Sequence, residues 1–436
     1  MKPAATQMVS CGTSSTGGRA PLVIVLLLMV ALAQTTGTSF AATVYVGSGE
    51  RYLSIKDGVA AAAAWDTVLV HSGTYYEFGI KVTLPMTLMG VGDPVIDAGD
   101  QGEILTVLSD SVHVEGLGFR NVGTSFMEDR AAVRLVEVSD CVVTRCRLDN
   151  AFFGIYVQQC LSCTVSDNVI VGEAVRESTS GNGIHLWYCR DITVIGNSVT
   201  GHRDGIYFEF VEESHIEGNT SQNNLRYGLH FMFSHDDTYV DNTFIDNGAG
   251  VAVMYSQNVS MRGNRFEHNW GSASYGLLLK DIRDSEIVEN TFYRNTTGIY
   301  TEGSNRMQVR RNEFLENGYG IKIMANCMDN VFADNNFRGN MFDVTTNSRQ
   351  NFSRFHSNYW SNYRGYDLDR DGTGDVPHHP VRLFALIIEK QPPSMVLMNS
   401  LFVKIIDTAE RVMPVFTPET LVDATPRIKA VVVDER

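Results

Sequence analysis

The chain has 436 residues, 44% of them hydrophobic, so it can fill a core and is not globally disordered; that length suggests two or three domains unless one elongated architecture absorbs it. It carries 35 Lys and Arg against 50 Asp and Glu, a formal net charge of −15. That balance argues against nucleic acid and against an anionic membrane surface as partners, because both need clustered Lys and Arg.

Residues 1–41 read as an export signal. Lys2 and Arg19 precede a 13-residue apolar run, Pro21 to Ala33, and the small residues Ala41-Ala42 supply a cleavage site. The run is too short for a stable membrane span. Cleavage removes Cys11 and leaves six cysteines in an oxidising compartment. Residues 42–65 follow as an N-terminal cap. Within it Ser54 to Ala64, with Asp57 completing a capping box, predicts a short helix over the end of the fold.

A repeat of about 22 residues organises 66–345. Gly154-Ile155-Tyr156-Val157 recurs at Gly183, Gly205, Gly228, Gly250, Gly276, Gly298 and Gly320, at intervals of 29, 22, 23, 22, 26, 22 and 22. Fourteen residues after each of the first seven glycines stands Asn168, Asn197, Asn219, Asn242, Asn264, Asn290 or Asn312. The residue after each Gly is Ile, Leu or Val, which marks a period-2 strand with one buried face. A second strand places Val143, Val165, Val194, Ile216, Val240, Met261, Ile287, Val309 and Val331 inward near the eleventh position. A third places Leu148, Ile170, Val199, Phe244, Phe266, Phe292 and Phe314 inward at the sixteenth. Three short strands per coil, with corners in Asn and Gly that tolerate left-handed backbone, predict an all-β fold, a right-handed parallel β-helix solenoid. Stacked Asn side chains can hydrogen-bond along its axis.

The repeat also sorts the cysteines. Cys141 and Cys163 share one position in neighbouring coils, and Cys160 and Cys189 share another. Stacked residues lie about 4.8 Å apart, within disulfide reach, so both pairs are candidate bridges, with Cys146 and Cys327 left free. The alternative is stacked thiols packing as small hydrophobes.

Residues 346–380 form an Asp/Gly-rich block. Asp367, Asp369, Asp371 and Asp375, with Gly372 at the sixth place, follow a calcium-loop spacing, but the twelfth place holds His378 instead of Glu. The segment reads either as a weak Ca²⁺ site or as an acid-rich turn cluster. Residues 381–436 are a hydrophobic, partly helical or extended tail. Leu397, Leu401 and Ile405 recur there at helical spacing, with Phe402 beside them, and mark a face for docking or for plugging the solenoid end.

An export signal, an Asn/Gly β-helix, Asn358-Tyr359-Trp360-Ser361-Asn362-Tyr363 and Gly365-Tyr366-Asp367-Leu368-Asp369-Arg370-Asp371-Gly372-Thr373-Gly374-Asp375-Val376-Pro377 stand in that order. With Asp407-Thr408-Ala409-Glu410-Arg411 and Thr417-Pro418-Glu419-Thr420-Leu421-Val422-Asp423 in the tail, the chain resembles the NosD family over essentially its whole mature length. The resemblance implies a non-catalytic periplasmic factor that assembles the copper centres of nitrous oxide reductase. It implies tethering to the inner membrane through an ABC transporter, the ATPase NosF with the membrane subunit NosY, and Cu(I) delivery by the lipoprotein NosL. No phosphate loop of its own accompanies that role: G-x-x-x-x-G-K-[ST] is missing from the sequence.

Residues two and four past each Gly point outward, which puts His185, Trp187, His230, Met232 and Met254 on one face, with His235 on the following turn. Imidazole and thioether together suit Cu(I). Aromatic rings beside Glu209 would instead suit a sugar platform. On that second reading the chain is a polysaccharide lyase, epimerase or carbohydrate-binding protein, with Asp204, Glu209, His230, Asp236 and Asp237 as its acids and bases. Inserted loops at 172–182 and 265–275 flank the face.

Overall fold

The computed structural model describes residues 41–432, except 126, 349, 399 and 413–420. The expected export signal therefore lies outside the described residues, but for its last one, and so does Thr417-Pro418-Glu419-Thr420. The described residues form a parallel β-helix. Its three sheets contain 14, 12 and 13 strands, and successive strands within each sheet come from successive coils. The ladder is wider than 66–345. Thr43–Val46 already pairs with Thr67–Val70, and Phe352–His356 and Tyr359–Trp360 form the last coil. The motif Asn358-Tyr359-Trp360 is thus the final rung of the solenoid.

Alternation along each short strand builds the core. Ile155, Ile184, Ile206, Leu229, Val251, Leu277, Ile299 and Ile321 are fully buried in one column. Another column stacks Phe244, Phe266, Phe292, Phe314, Phe337 and Trp360, with successive ring centroids 5.5, 4.7, 5.0, 4.8 and 4.2 Å apart. Two expected core residues are displaced by one place. Tyr239 pairs with Ile216 and Met261, and Phe332 pairs with Val309, so Tyr239 and Phe332 are buried and Val240 and Val331 are not. A one-residue slip moves a side chain to the other face of the sheet.

The repeat glycines do a different job from the one expected of them. They do not turn left-handed corners. A Cβ at Gly154 would stand 2.4 Å from the Gly183 carbonyl oxygen, and one at Gly298 would stand 2.5 Å from that of Gly320. Glycine is required there by the close approach of the next coil. The left-handed corners are held largely by other residues, among them Asp167, Asp241, Glu289 and Arg311, each just before a ladder Asn.

Those asparagines close the gaps the corners open. Asn168 accepts the backbone N–H of Cys146, and from Asn197 through Asn219, Asn242, Asn264, Asn290, Asn312 and Asn335 to Asn358 each accepts both the backbone N–H and the side-chain amide of the Asn one coil earlier. A buried polar group must be paired to be tolerated, and this ladder pairs every rung. Its last rung is closed by Asp423, which returns from the tail and accepts from Asn358 Nδ2 at 3.1 Å and from Trp360 Nε1 at 3.1 Å.

Both ends are covered. The helix Ile55–Ala61 sits on the first coil, and Ser54 Oγ accepts from Asp57 N as its N-cap. The acid at this helix start is Glu77 from a neighbouring turn, whose carboxylate takes the N–H groups of Ile55 and Lys56; no capping box with Asp57 forms. At the other end the helix Leu383–Lys390 buries Phe384, Ala385 and Ile388 against Phe342.

Candidate functional site

The outward face of the strands after the repeat glycines is set by the parallel register. One column runs Tyr156, His185, Tyr207, His230, Ala252, Leu278, Tyr300, and the next runs Gln158, Trp187, Glu209, Met232, Met254, Lys280, Glu302. His230, Met232 and Met254 are therefore neighbours on two adjacent coils. His185 is not. It lies two coils from His230 with Tyr207 between them, ring centroids 4.8 and 5.1 Å apart, and Asn182 Nδ2 already stands 3.0 Å from its Nδ1. The expectation of one patch including His185 is corrected on that ground.

His230 is only 4% exposed, and neither of its ring nitrogens has a partner. Tyr207 and Tyr227 enclose it, the Tyr227 ring 4.8 Å away. Burial, and then the charges of Arg226 and Arg203, drive its pKa down to about 3, so at physiological pH the ring is neutral, with one ring nitrogen offering a lone pair and the other an N–H. His185 is held down to about 3 by burial, then by Arg203 and Arg134. Met232 and Met254 are half-buried beside His230, and His235 has a buried Nδ1 that also lacks a partner. A neutral imidazole next to two thioethers is a soft donor set of the kind Cu(I) takes.

Beside this face lies a network of Asp204, which pairs with Tyr227 in the parallel register, with Arg203 and Arg226. Asp204 is fully buried and receives Arg203 Nε at 3.2 Å, with Arg226 Nε 3.9 Å away. Arg203 also donates to Asn182 Oδ1, and Arg226 lies over the Tyr227 ring. The loop at 172–182 reaches this network through Glu177, 3.9 Å from Arg226. Burial raises the Asp204 pKa against the pull of both arginines. Two of the other acids named for a carbohydrate enzyme, Asp236 and Asp237, are engaged elsewhere. Asp237 is buried and accepts Ser214 N, while Asp236 is an exposed corner residue bonded to Asn258.

The six described cysteines are all buried thiols. The expected bridges Cys141–Cys163 and Cys160–Cys189 are not formed in the structure. Their Sγ atoms donate to backbone carbonyls instead, Cys141 to Ser109 O, Cys160 to Gln158 O and Cys163 to Leu161 O. Burial, partly offset by nearby backbone hydrogen bonds, lifts the Cys189 thiol to about 11, and these thiols are poor nucleophiles.

In the Asp/Gly block, ligand oxygens of Asp367, Asp369 and Asp371 lie within 4.8 Å of one another; among the described residues no other group of three His, Cys, Asp or Glu does so. Asp375 turns instead to Leu368 N at 2.7 Å. His378, in the twelfth place, faces the core and packs on Trp360, ring centroids 4.9 Å apart. The three acids are tied to the loop's own N–H groups, including those of Asp371, Gly372 and Thr373.

The tail divides as its composition suggests. In the helix Leu401–Val412, Val403 joins the buried cluster over the last coils. Leu401, Phe402 and Ile405 stay 73%, 54% and 58% exposed, and Leu397 is exposed just before them. No helix among the described residues is long and apolar enough to cross a membrane.

Comparison with known proteins bears on both the face and the tail. A family model described as "Periplasmic copper-binding protein (NosD)" matches residues 166–365, which include the His230–Met254 face. A relative from Pseudomonas aeruginosa, named "Probable ABC transporter binding protein NosD", is 30% identical over 97% of this chain and 98% of its own. One from Stutzerimonas stutzeri with the same name is 29% identical over 81% of this chain and 85% of its own. Among solved structures, a family 28 exopolygalacturonase of Yersinia enterocolitica superposes with a TM-score of 0.58 at 10% identity, over 73% of this chain and 78% of that one. At that identity the likeness is one of fold.

Proposed function

The chain belongs to the NosD family, and from that premise we propose that it is a periplasmic, copper-handling maturation factor that works with an ABC transporter. It is not an enzyme in this reading. Copper is its cargo, passed toward the copper centres of nitrous oxide reductase, received as Cu(I) from a NosL lipoprotein and moved in concert with the ATPase NosF and the membrane subunit NosY. The observation that carries the proposal is the near full-length match to a relative named as an ABC transporter binding protein. Two features of the molecule support it. His230 offers two unpartnered ring nitrogens beside Met232 and Met254, a donor set that fits Cu(I), with His235 as a further imidazole on the next turn. Leu397, Leu401, Phe402 and Ile405 form an exposed apolar face on an element whose other side is anchored to the solenoid, which is what a docking helix needs.

The division of labour follows from where these features sit. Tethering belongs to the tail beyond the last coil, and cargo belongs to the face in the middle of the solenoid. The rigid Asn ladder holds the two at a fixed spacing. Ca²⁺ at Asp367, Asp369 and Asp371 would stiffen the loop between them, a structural and secondary role. The test is co-purification of the tagged chain with its transporter from membranes. Leu401→Glu with Ile405→Glu should abolish it while leaving the solenoid folded, and undiminished co-purification would remove the tail from the proposal.

A further inference from the structure

The corner residue that follows the second outward column is left-handed in coil after coil. It is Glu137, Gln159, then Tyr188, Phe210, Phe233 and Tyr255, then Asp281 and Gly303, with φ between 51° and 63° throughout. Glycine and small or polar residues accept that backbone; for a bulky side chain it is an outlier that costs energy. The fold itself asks for no aromatic ring here, because the same corner is polar or Gly in the coils on either side. Four consecutive coils nevertheless carry one. The rings stack at 4.4, 5.1 and 5.0 Å with interplanar angles of 20°, 10° and 12°, and Tyr188, Phe233 and Tyr255 remain 50%, 38% and 41% exposed.

The stack narrows what can lie on it. Its rings cover one another's faces and offer their edges outward, so a sugar, which packs on an open ring face, is poorly served. Exposed carboxylates flank the stack at Asp191, Glu212, Glu213 and Asp236, and Arg190, the basic residue among them, is paired with Glu213. That border repels an anionic lipid surface, and it repels a second copy of this chain, which is just as acidic. An apolar polypeptide segment edged with Lys and Arg fits both parts, its side-chain stems on the ring edges and its charges on the carboxylates.

We propose that Tyr188, Phe210, Phe233 and Tyr255 form a docking rib for a partner protein that presents an apolar segment bordered by Lys and Arg. The rib is separate from the tail face and does not depend on the copper reading.

Two measurements on the full chain decide it. The quadruple variant Tyr188→Asn, Phe210→Asn, Phe233→Asn, Tyr255→Asn should melt at or above the wild-type temperature, because Asn suits a left-handed corner. Melting more than about 10 °C lower would make the rib a structural staple and overturn the proposal. Separately, p-benzoylphenylalanine is placed at 233, and at 281 as the same corner beyond the rib, in the chain expressed in its own periplasm. Position 233 should crosslink to a peptide of another protein with apolar residues flanked by Lys or Arg, position 281 should not, and Glu212→Lys with Asp236→Lys should cut the yield about tenfold. Crosslinks to a second copy, to lipid or to glycan, no crosslink at all, or a yield indifferent to the charge reversals would each refute it.

Discussion

Asp423 should be worth far more to the last coils than its place in the tail suggests. Its Oδ2 accepts three hydrogen bonds, from Asn358 N at 3.0 Å, Asn358 Nδ2 at 3.1 Å and Trp360 Nε1 at 3.1 Å, and its Oδ1 accepts Ser357 N and Thr425 N at 3.1 Å each. Asn358 and Trp360 are buried, so Asp423→Ala leaves donors stranded that water reaches poorly. At about 1–3 kcal/mol for each buried unpaired donor, and allowing water to rescue some, the loss is about 4 kcal/mol. A solenoid need not unfold in one step, so the loss is best read locally by hydrogen exchange at the ladder amides of Asn312 and Asn335, which donate to the side chains of Asn335 and Asn358. A loss of about 4 kcal/mol corresponds to roughly a thousandfold faster exchange there if the end coils open as a unit. Asp423→Asn keeps one oxygen for the Oδ2 donors and should cost about 1–2 kcal/mol. Exchange in Asp423→Ala within threefold of wild type would show that the ladder does not need this cap, and the reasoning would fail.

Three further outcomes follow from the same structure. Cu(I) titrated against a chromophoric chelator should bind the mature chain, and the triple variant His230→Ala, Met232→Ala, Met254→Ala should bind at least about tenfold more weakly, while His185→Ala, whose ring is engaged by Asn182, should not. Burial holds His202 down to about 4, against about 6.5 when unfolded, so protons taken up between those values favour the unfolded chain. Its contribution is full above pH 6.5 and falls by about 2 kcal/mol at pH 5, so His202→Asn should flatten the loss of stability between pH 7.5 and 5, and an unchanged slope would count against it. Iodoacetamide should label the denatured, unreduced mature chain at all six cysteines and the native chain hardly at all; only two labels on the denatured chain would restore the bridges Cys141–Cys163 and Cys160–Cys189.

What could be read from the sequence was whatever the repeat multiplies. A Gly and an Asn fourteen places later, kept through seven units, specify coil length, ladder and outward columns, because each error would be repeated and would spoil the core. Single exceptions were harder to see. Tyr239 and Phe332 take the buried place beside Val240 and Val331, since either neighbour is apolar enough and only the register decides. His185 and His230 share a face but not a site, because a face counted by position ignores the ring of Tyr207 between them. The role of the glycines was invisible for a similar reason: a close approach between coils and a left-handed turn call for the same residue. Asp423 was visible only as the end of a tail motif, and its role as the ladder's cap was not. It lies outside the repeat, 65 residues from the Asn358 it closes, and no spacing in the tail ties it to that partner. The docking face was legible in part, since helical spacing picked out Leu397, Leu401 and Ile405, and the anchoring role of Val403 emerged only from packing.

The central claim is that this chain serves the assembly of a copper enzyme, and copper content in that enzyme measures it directly. Nitrous oxide reductase purified from a host lacking only this chain should be missing its catalytic copper–sulfur centre, by metal analysis and by absorption, and should regain it when the full chain is restored. Enzyme from the deletion strain with its full complement of copper and normal spectrum would contradict the account.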